Sequence, residues 1–416
     1  MSDSFLTHSM IAERALFDLQ NELTMSKHVY KGYNNEFQTP VGGYKKGTSV
    51  TIHLPNKFRA KNGATLDPVD VQEQSTSVTV DQQKHVGWDF LEKDLTLSIE
   101  GFSKKYIRPA TIALANLVDL GGCSEYTNIY NLVGTPGITP ATFGVLAEAA
   151  ARMDNEAVPR VDRVSVMSSK AHWAMADGEL KGVFVQNMVD NLLRKGFVGN
   201  FALMDFFMDQ NIQTHTVGTW STGSTGVMNG ATAEGATSLV TDGWANATVV
   251  LKEGDVFTIA GVYGVNPVSG QVWESNELRQ FVATGDITSD ESGNATITIA
   301  PKIYSSSAAE DYLPYQTIMT LPANGAAITV VGTEGTGYPM NLAFHPDCFA
   351  LTMVPYSKPK SAGQSVMWAQ ANDPQAGISI TISTAFDITN YKEITRLDIL
   401  YGWDTIRPNL GVRITG

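Results

Sequence analysis

The sequence predicts an α+β fold in which an all-β domain interrupts a mixed host fold, and three observations carry that prediction. Helical periodicity is concentrated in the first half of the chain. After His215 the composition changes abruptly to Gly, Ser, Thr and Ala in the stretch WSTGSTGVMNGATAEGATS. Beyond it, short β-branched runs separated by turn residues continue to Tyr338, and the mixed pattern resumes at Asn341. A chain of 416 residues has length for two or three such domains.

The elements follow in order. Residues 5–23 predict an amphipathic helix: Ile11, Ala15, Leu19 and Leu23 recur every four positions and are joined by Leu16. Glu13, Arg14, Asp18 and Glu22 take other angles. The runs TSVTIHLP and STSVTVDQQKHVGWDFLEKDLTLSIE read as the two strands of a long basic excursion from Lys45 to Ile99. An isolated hairpin is marginal in water, so this one is expected to pack on something outside itself.

From Phe102 to about Val133 the pattern is helical. Pro109 lies near the start, Ile107, Ala110, Leu114, Leu117 and Val118 share a face, and Gly121-Gly122 are expected to weaken or bend the helix. Thr139-Pro140 reads as the start of a second helix reaching about Asp154, with Phe143, Leu146, Ala150 and Met153 inward. RVSVM is a strand, and Ser168 or Ser169 caps a helix over SSKAHWAMAD. The same strand, cap and aromatic order returns in NLAFHPDCFAL. ATVVL, DVFTIAGV, LRQFVATGDI and NATITIAP are the strands of the insertion, and ISITISTAFD and ITRLDILYGWDTIRP close the host fold.

Composition narrows the function. Apolar residues make up 43% and charged residues only 17%, which leaves much neutral surface for partners. The net charge of −13 is unevenly spread. Residues 27–61 hold seven Lys or Arg against one acid, a net +6, and residues 219–339 hold three against twelve, a net −9. Either these are two solvated surfaces, or the basic region reaches an acidic patch on a neighbouring copy. Overall acidity argues against a nucleic-acid reader.

Cys123 and Cys348 follow neither a metal-ligand nor a disulfide spacing and read as core residues of a protein folded in a reducing cytoplasm. The start MSDSFLTHSM carries an acid where a signal peptide needs basic residues, and no apolar run is long enough to span a membrane.

Catalytic signatures are missing from the sequence: there is no G-x-x-x-x-G-K-[ST], H-E-x-x-H or G-x-S-x-G. His345, Asp347 and Cys348 could be weighed as metal ligands but read as the start of a helix. DITSDESGN lacks the alternating acids of a calcium loop, and no helix follows the glycines of AGVYGVNPVSG to supply a phosphate site. No cofactor is expected.

The order of elements resembles the major capsid proteins of tailed bacteriophages with the Hong Kong 97-type fold. It is most similar to the branch typified by a short-tailed Salmonella phage coat protein, which carries an inserted β domain. The resemblance rests on DVFTIAGVYGVNPVSG, LRQFVATGDITSDESGNATITIAPKI, NLAFHPDCFALTMVPY and LYGWDTIRPNLGVRITG, and on element order before residue 250.

It implies an arm over 1–44, an extended loop over 45–101, and a spine helix and peripheral domain over 102–160. An axial domain over 161–218 would resume over 340–416 with closing peripheral strands, its sheet taking in ISITISTAFD and ITRLDILYGWDTIRP, and the inserted β domain, barrel-like in outline, would cover 219–339. The implied function is a shell protein enclosing double-stranded DNA, with a tail or decoration protein, or an enzyme, as the alternatives. The implied partners are the chain itself as pentamers and hexamers, a scaffolding protein, a portal protein, packaged DNA held without sequence-specific contacts, and decoration proteins in some shells. Glu13, Asp18 and Glu22 are candidate contacts for a basic scaffold helix, with a solvated helix face as the plainer reading. Lys45, Lys46, Lys57, Arg59 and Lys61 are the candidate basic interface. Arg407 is a turn residue that either meets a carboxylate across a contact or is buried for structural reasons. Cross-linking residues of the family have no match in this sequence.

Overall fold

A computed structural model of the chain describes residues 8–33, 37, 48–61, 64, 68–90, 103–177, 200–220, 226–356, 366–373, 376–387 and 392–416. Its backbone divides into two compact units. The first comprises Met1–Ile52, Thr76–Gly122 and Phe349–Ile406; the second comprises His53–Ser75, Cys123–Cys348 and Arg407–Gly416.

In the first unit, helix α1 (His8–Glu22) buries Ile11, Ala12, Ala15, Leu16 and Leu19, the face its periodicity predicts. It lies on the strands Val366–Asp373 and Ile378–Asp387, and the Gln20 amide donates to Asp373 Oδ2 at 2.9 Å. Where the chain leaves α1, the Asp119 carboxylate accepts from Thr24 N (2.7 Å), Ser26 N (3.0 Å) and Ser26 Oγ.

The sheet beneath α1 is built around the 14-residue strand Lys392–Thr405. That strand pairs antiparallel with Ile378–Asp387, with Phe349–Met353 and with Gln82–Phe90. Two sequence expectations are corrected here. Of the run from Ser75 to Ile99, residues 91–99 lie outside the described residues, and the rest is not one arm of a hairpin: Ser75–Thr79 pairs with Ser49–His53, whereas Gln82–Phe90 joins the C-terminal strand. ISITISTAFD and ITRLDILYGWDTIRP do not join the sheet of RVSVM, which receives only Gly411–Ile414 from the chain's end. Alternation specifies which face a strand buries but not which strand lies beside it.

The helix expected from Phe102 is entered through a π-turn, Ser103–Ile107, and runs as α2 (Arg108–Ser124). Gly121-Gly122 do not break it. A Cβ on Gly122 would come within 2.7 Å of the Trp403 ring, and one on Gly121 within 3.0 Å. The glycines admit that indole, whose Nε1–H donates to Val118 O at 2.9 Å.

In the second unit a six-stranded mixed sheet has the order Leu132–Val133, Gly411–Ile414, Asn341–Phe344, Arg163–Met167, Met204–Met208, Asn200–Phe201. The strands Gly411–Ile414, Asn341–Phe344 and Arg163–Met167 are buried at every residue, the polar Arg163, Ser165, Asn341 and Arg413 included. Helix α3 (Phe143–Asn155) packs against Gly411–Ile414. It starts after Thr142, not at Thr139-Pro140. Leu146, Ala149 and Met153 form its buried face, while Phe143 is exposed. Helix α4 (Ser169–Asp177) is capped by Ser168, whose Oγ accepts from Ala171 N at 3.3 Å. NLAFHPDCFAL contains no counterpart of α4: a 3-10 turn, Pro346–Cys348, joins two strands.

The β insertion is a second six-stranded sheet, ordered Ile328–Val330, Val256–Tyr263, Leu278–Ala283, Ala295–Ile303, Ala236–Asp242, Val227–Met228. Its edges meet through Ile328 N to Gly226 O and Met228 N to Ala326 O, both 2.9 Å, which rolls it into a barrel. Closure removes unpaired sheet edges. Phe257, Phe281, Ile297, Trp244 and Ile328 fill the interior. The chain enters along Thr214–Thr216 and leaves along Gly337–Pro339, and these two strands pair antiparallel.

Candidate assembly surfaces

The basic residues of the extended loop converge on the barrel of their own chain. Tyr315, 8% exposed at the end of a 3-10 turn (Leu313–Tyr315), is the centre of the contact. Its hydroxyl donates to Gln72 O at 2.7 Å and accepts from Lys57 N at 3.4 Å, bridging the outgoing and returning arms. The Lys57 ammonium stands 5.7 Å from the Tyr315 ring centroid. Arg59 donates to Gln316 Oε1 (3.3 Å) and Ser269 O (3.1 Å). Gly270 leaves the space: it has φ +67°, and a Cβ there would collide with Arg59 Nη2. Lys61 pairs with Glu310 at 2.5 Å, and Gln72 Nε2 donates to Asp311 at 2.9 Å. An open cavity of about 690 Å³ remains between the loop and the turn at Glu310–Pro314, with Phe58 and Val71 on its wall. Among the described residues the basic loop pairs with the acidic barrel of its own chain, where the sequence left open two solvated surfaces or an acidic patch on a neighbouring copy.

Two buried polar clusters fasten the barrel to the mixed sheet, and neither carries a local pattern in the sequence. In the first, Arg279 lies 2.5 Å from Glu156, both side chains almost fully buried, and its guanidinium covers the rings of Tyr130 (4.7 Å) and Trp273 (5.1 Å). Burial, the largest single influence, disfavours the Arg279 cation, but the Glu156 carboxylate and Tyr130 together outweigh it and hold the pKa above the usual arginine range. Burial, with Glu156 beside it, keeps the Tyr130 phenol protonated. Arg152 stacks on the other ring of the cluster, Trp273, at 4.6 Å, and pairs with Glu277 at 2.9 Å. The Gln280 amide meets both backbone groups of Leu132 at 2.8 Å, mimicking one rung of a β-ladder.

In the second cluster Asp255 accepts from His215 Nε2 (2.7 Å), Gly218 N (2.9 Å) and Lys252 N (2.7 Å). His215 Nδ1 lies 3.1 Å from the Tyr126 hydroxyl. Arg413 lies over Tyr126 and donates to Gly254 O (2.6 Å) and Thr127 O (3.1 Å). Burial pulls its pKa down to about 9, with Tyr126 and Asp255 opposing the fall.

The remaining candidates are dispersed. Glu13 is exposed on α1. Asp18 is buried, contrary to its expected outward angle, and holds Arg14 at 3.3 Å. Glu22 is half-buried and lies 3.3 Å from Arg108. Arg407 is half-buried in a turn: its N–H donates to Cys348 O, and its carbonyl accepts from Leu410 N. Lys45 and Lys46 lie outside the described residues. Both cysteines are buried free thiols. Among the described residues no cluster of His, Cys, Asp or Glu has the geometry of a metal site, and no helix is long and apolar enough to cross a membrane.

The chain is similar over most of its length to several solved structures. The chain is similar to one from Mycobacterium phage Che8, at 12% identity and TM-score 0.48, covering 94% of this chain and 91% of that one. It is similar to a chain from the capsid of Ralstonia phage GP4, at 9% identity and TM-score 0.45, covering 94% and 89%. A virus-like particle from Pyrococcus furiosus matches at 8% identity and TM-score 0.36, covering 97% of each chain. No curated protein sequence matches the chain. The family model described as "P22 coat protein - gene protein 5" matches residues 7–416. A match over nearly the whole length, barrel included, settles the family: the chain belongs to the P22 coat proteins.

Proposed function

We propose that this major capsid protein builds its icosahedral shell from pentamers and hexamers, with a scaffolding protein directing assembly in the host bacterial cytoplasm. The family match over residues 7–416 carries this reading. A closed lattice needs many copies joined through several modest contacts, and multivalency turns these into a stable container. Residues 1–44 serve as the arm, 45–101 as the extended loop, 102–160 as spine helix and peripheral domain, 161–218 with 340–416 as axial domain and closing strands, and 219–339 as the inserted domain.

Glu13 and Glu22 supply the acidic surface for a basic scaffold helix, with Asp18 acting through Arg14. Lys45, Lys46, Lys57, Arg59, Lys61 and Arg407 contribute to contacts between subunits. A portal protein occupies one vertex, decoration proteins are optional partners, and packaged DNA meets a wall without sequence-specific contacts. If that wall is neutral or acidic, DNA release from filled shells is independent of salt.

Electron microscopy with light scattering, on the protein alone and co-expressed with the products of neighbouring reading frames, tests the reading. Closed shells or polyheads are expected. A monomer or dimer under every condition, scaffold included, overturns it.

A further inference from the structure

Two turns of the barrel carry the same triplet, Asn229-Gly230-Ala231 and Asn324-Gly325-Ala326; a further copy begins at Asn62, outside the described residues. Asn-Gly is the dipeptide most prone to deamidation, because glycine has no Cβ to keep its backbone nitrogen from the neighbouring side-chain amide. Both turns sit where the edges of the barrel meet. Beside the bond from Met228 N to Ala326 O, Gly325 N donates to Met228 O at 2.8 Å, and Gly230 N donates to Asn324 Oδ1 at 2.7 Å. Ala326 N closes the second turn on Ala323 O at 3.1 Å, and Gly325, with φ +78°, fills the position where a type II turn requires a left-handed residue. Asn229, Gly230, Asn324 and Gly325 are all exposed, so water and hydroxide reach them. The two glycine amides are guarded differently. A main-chain carbonyl of the seam holds Gly325 N, whereas a side chain from the opposite turn holds Gly230 N.

We propose that Asn229 is a latent deamidation site guarded by Asn324, converted when the seam of the barrel parts. With the seam shut, the Gly230 N–H is committed to Asn324 Oδ1, and a nitrogen that keeps its proton is no nucleophile. With the seam open, hydroxide takes that proton, the Gly230 nitrogen bonds to Asn229 Cγ, and the side-chain nitrogen leaves as ammonia with a proton from water. Water then opens the cyclic imide at either carbonyl, giving aspartate or isoaspartate. The balance is amide plus water to carboxylate plus ammonium, with no oxidant or other reactant. Isoaspartate adds a methylene to the main chain between Met228, which binds Ala326 and Gly325, and Gly230, which Asn324 binds, so these contacts no longer fit together in register. The step thus marks subunits whose barrel has opened and spares those whose barrel stays shut.

Peptide mapping by mass spectrometry tests it, on the full chain held in mildly alkaline buffer, folded and in urea, with Asn229 resolved from Asn324 and Asn62. In the folded parent Asn229 should deamidate far more slowly than in the unfolded chain. Asn324→Ala should raise the folded-state rate at Asn229 about tenfold, the factor set by one hydrogen bond at the upper end of its usual net strength. Asn324→Asp keeps an acceptor for Gly230 N and should leave Asn229 at the parental rate. Amide exchange at Phe281 and Ile297, inside the barrel, reports whether each variant keeps its fold. Equal rates at Asn229 in the folded and unfolded parent would overturn the proposal. So would an unchanged rate in Asn324→Ala, or a rise in Asn324→Asp that matches it. Faster exchange throughout the barrel of Asn324→Ala would also count against the guard, because the rise at Asn229 would then come from loss of the fold.

Discussion

Arg279 and Glu156 meet at 2.5 Å, 123 residues apart in sequence, with neither side chain more than 3% exposed. One residue sits on a barrel strand and the other at the end of α3, so this pair is where the insertion is bound to the host fold. Removing one member strands the other charge out of water. Glu156→Gln should cost roughly 3–5 kcal/mol, read as a lowered Tm or denaturant midpoint of the free subunit. Glu156→Gln with Arg279→Met should recover much of that loss. If the single variant melts like the parent, the pair does not hold the barrel.

Gly122 gives a prediction whose sign is informative. Helix propensity alone makes Gly→Ala stabilising by about 1 kcal/mol. The Trp403 ring, 2.7 Å from the position of the new methyl, reverses that expectation. Gly122→Ala should therefore destabilise by roughly 1–3 kcal/mol, and the penalty should shrink when Trp403→Phe is already present. Equilibrium unfolding in urea of the two single variants and the double variant measures both effects.

Asp255 accepts hydrogen bonds from His215 Nε2 and Gly218 N, on and just after the strand that enters the barrel, and from Lys252 N in its own turn. Asp255→Asn replaces an acceptor with a donor and leaves at least one buried N–H unpaired, at a cost of roughly 1–3 kcal/mol. Amide exchange at Gly218 should quicken while exchange in the barrel strands stays slow. Uniform quickening through the barrel would mean that Asp255 supports the barrel itself rather than its attachment.

His345 sets a pH dependence. Burial lowers its pKa, with Asp347 opposing, and its Nδ1 accepts from Asp347 N at 3.3 Å. The unfolded chain thus takes up a proton near pH 6.5, before the folded chain does. Unfolding free energy should fall as the pH drops through 6.5 toward the lower folded value and be level above it. His345→Asn keeps an acceptor that does not titrate, so its stability profile should be flatter across that interval. Identical slopes in parent and variant would remove His345 as the source.

The barrel strands were legible because their cores alternate: NATITIAP places Ile297 and Ile299 inside and Thr296 and Thr298 outside. Helix α1 was legible for the same reason at a different period, except at Asp18, where the pairing with Arg14 accommodates an acid on the buried side. Long-range partners were not. Gln82–Phe90 reads as a continuation of the preceding strand, and nothing local says that Lys392 will reach Asp89 across 303 residues. The candidate basic surface was half legible: Lys57, Arg59 and Lys61 stand out by charge, while Tyr315, which anchors them, is one of 14 tyrosines in the chain. Arg279, Glu156, Asp255 and His215 carry no local pattern, because their chemistry exists only once separate segments meet.

The antiparallel strands Thr214–Thr216 and Gly337–Pro339 put the two ends of the insertion side by side, with His215 opposite Tyr338. By connectivity the barrel is a cassette: a short turn joining those strands would delete it without displacing either neighbour. Electrostatics makes it a keystone instead. Excision would leave Glu156 without its guanidinium, His215 without its carboxylate and the Leu132 backbone without Gln280, so a shell protein shortened in this way would need apolar replacements at those seats before it could stand.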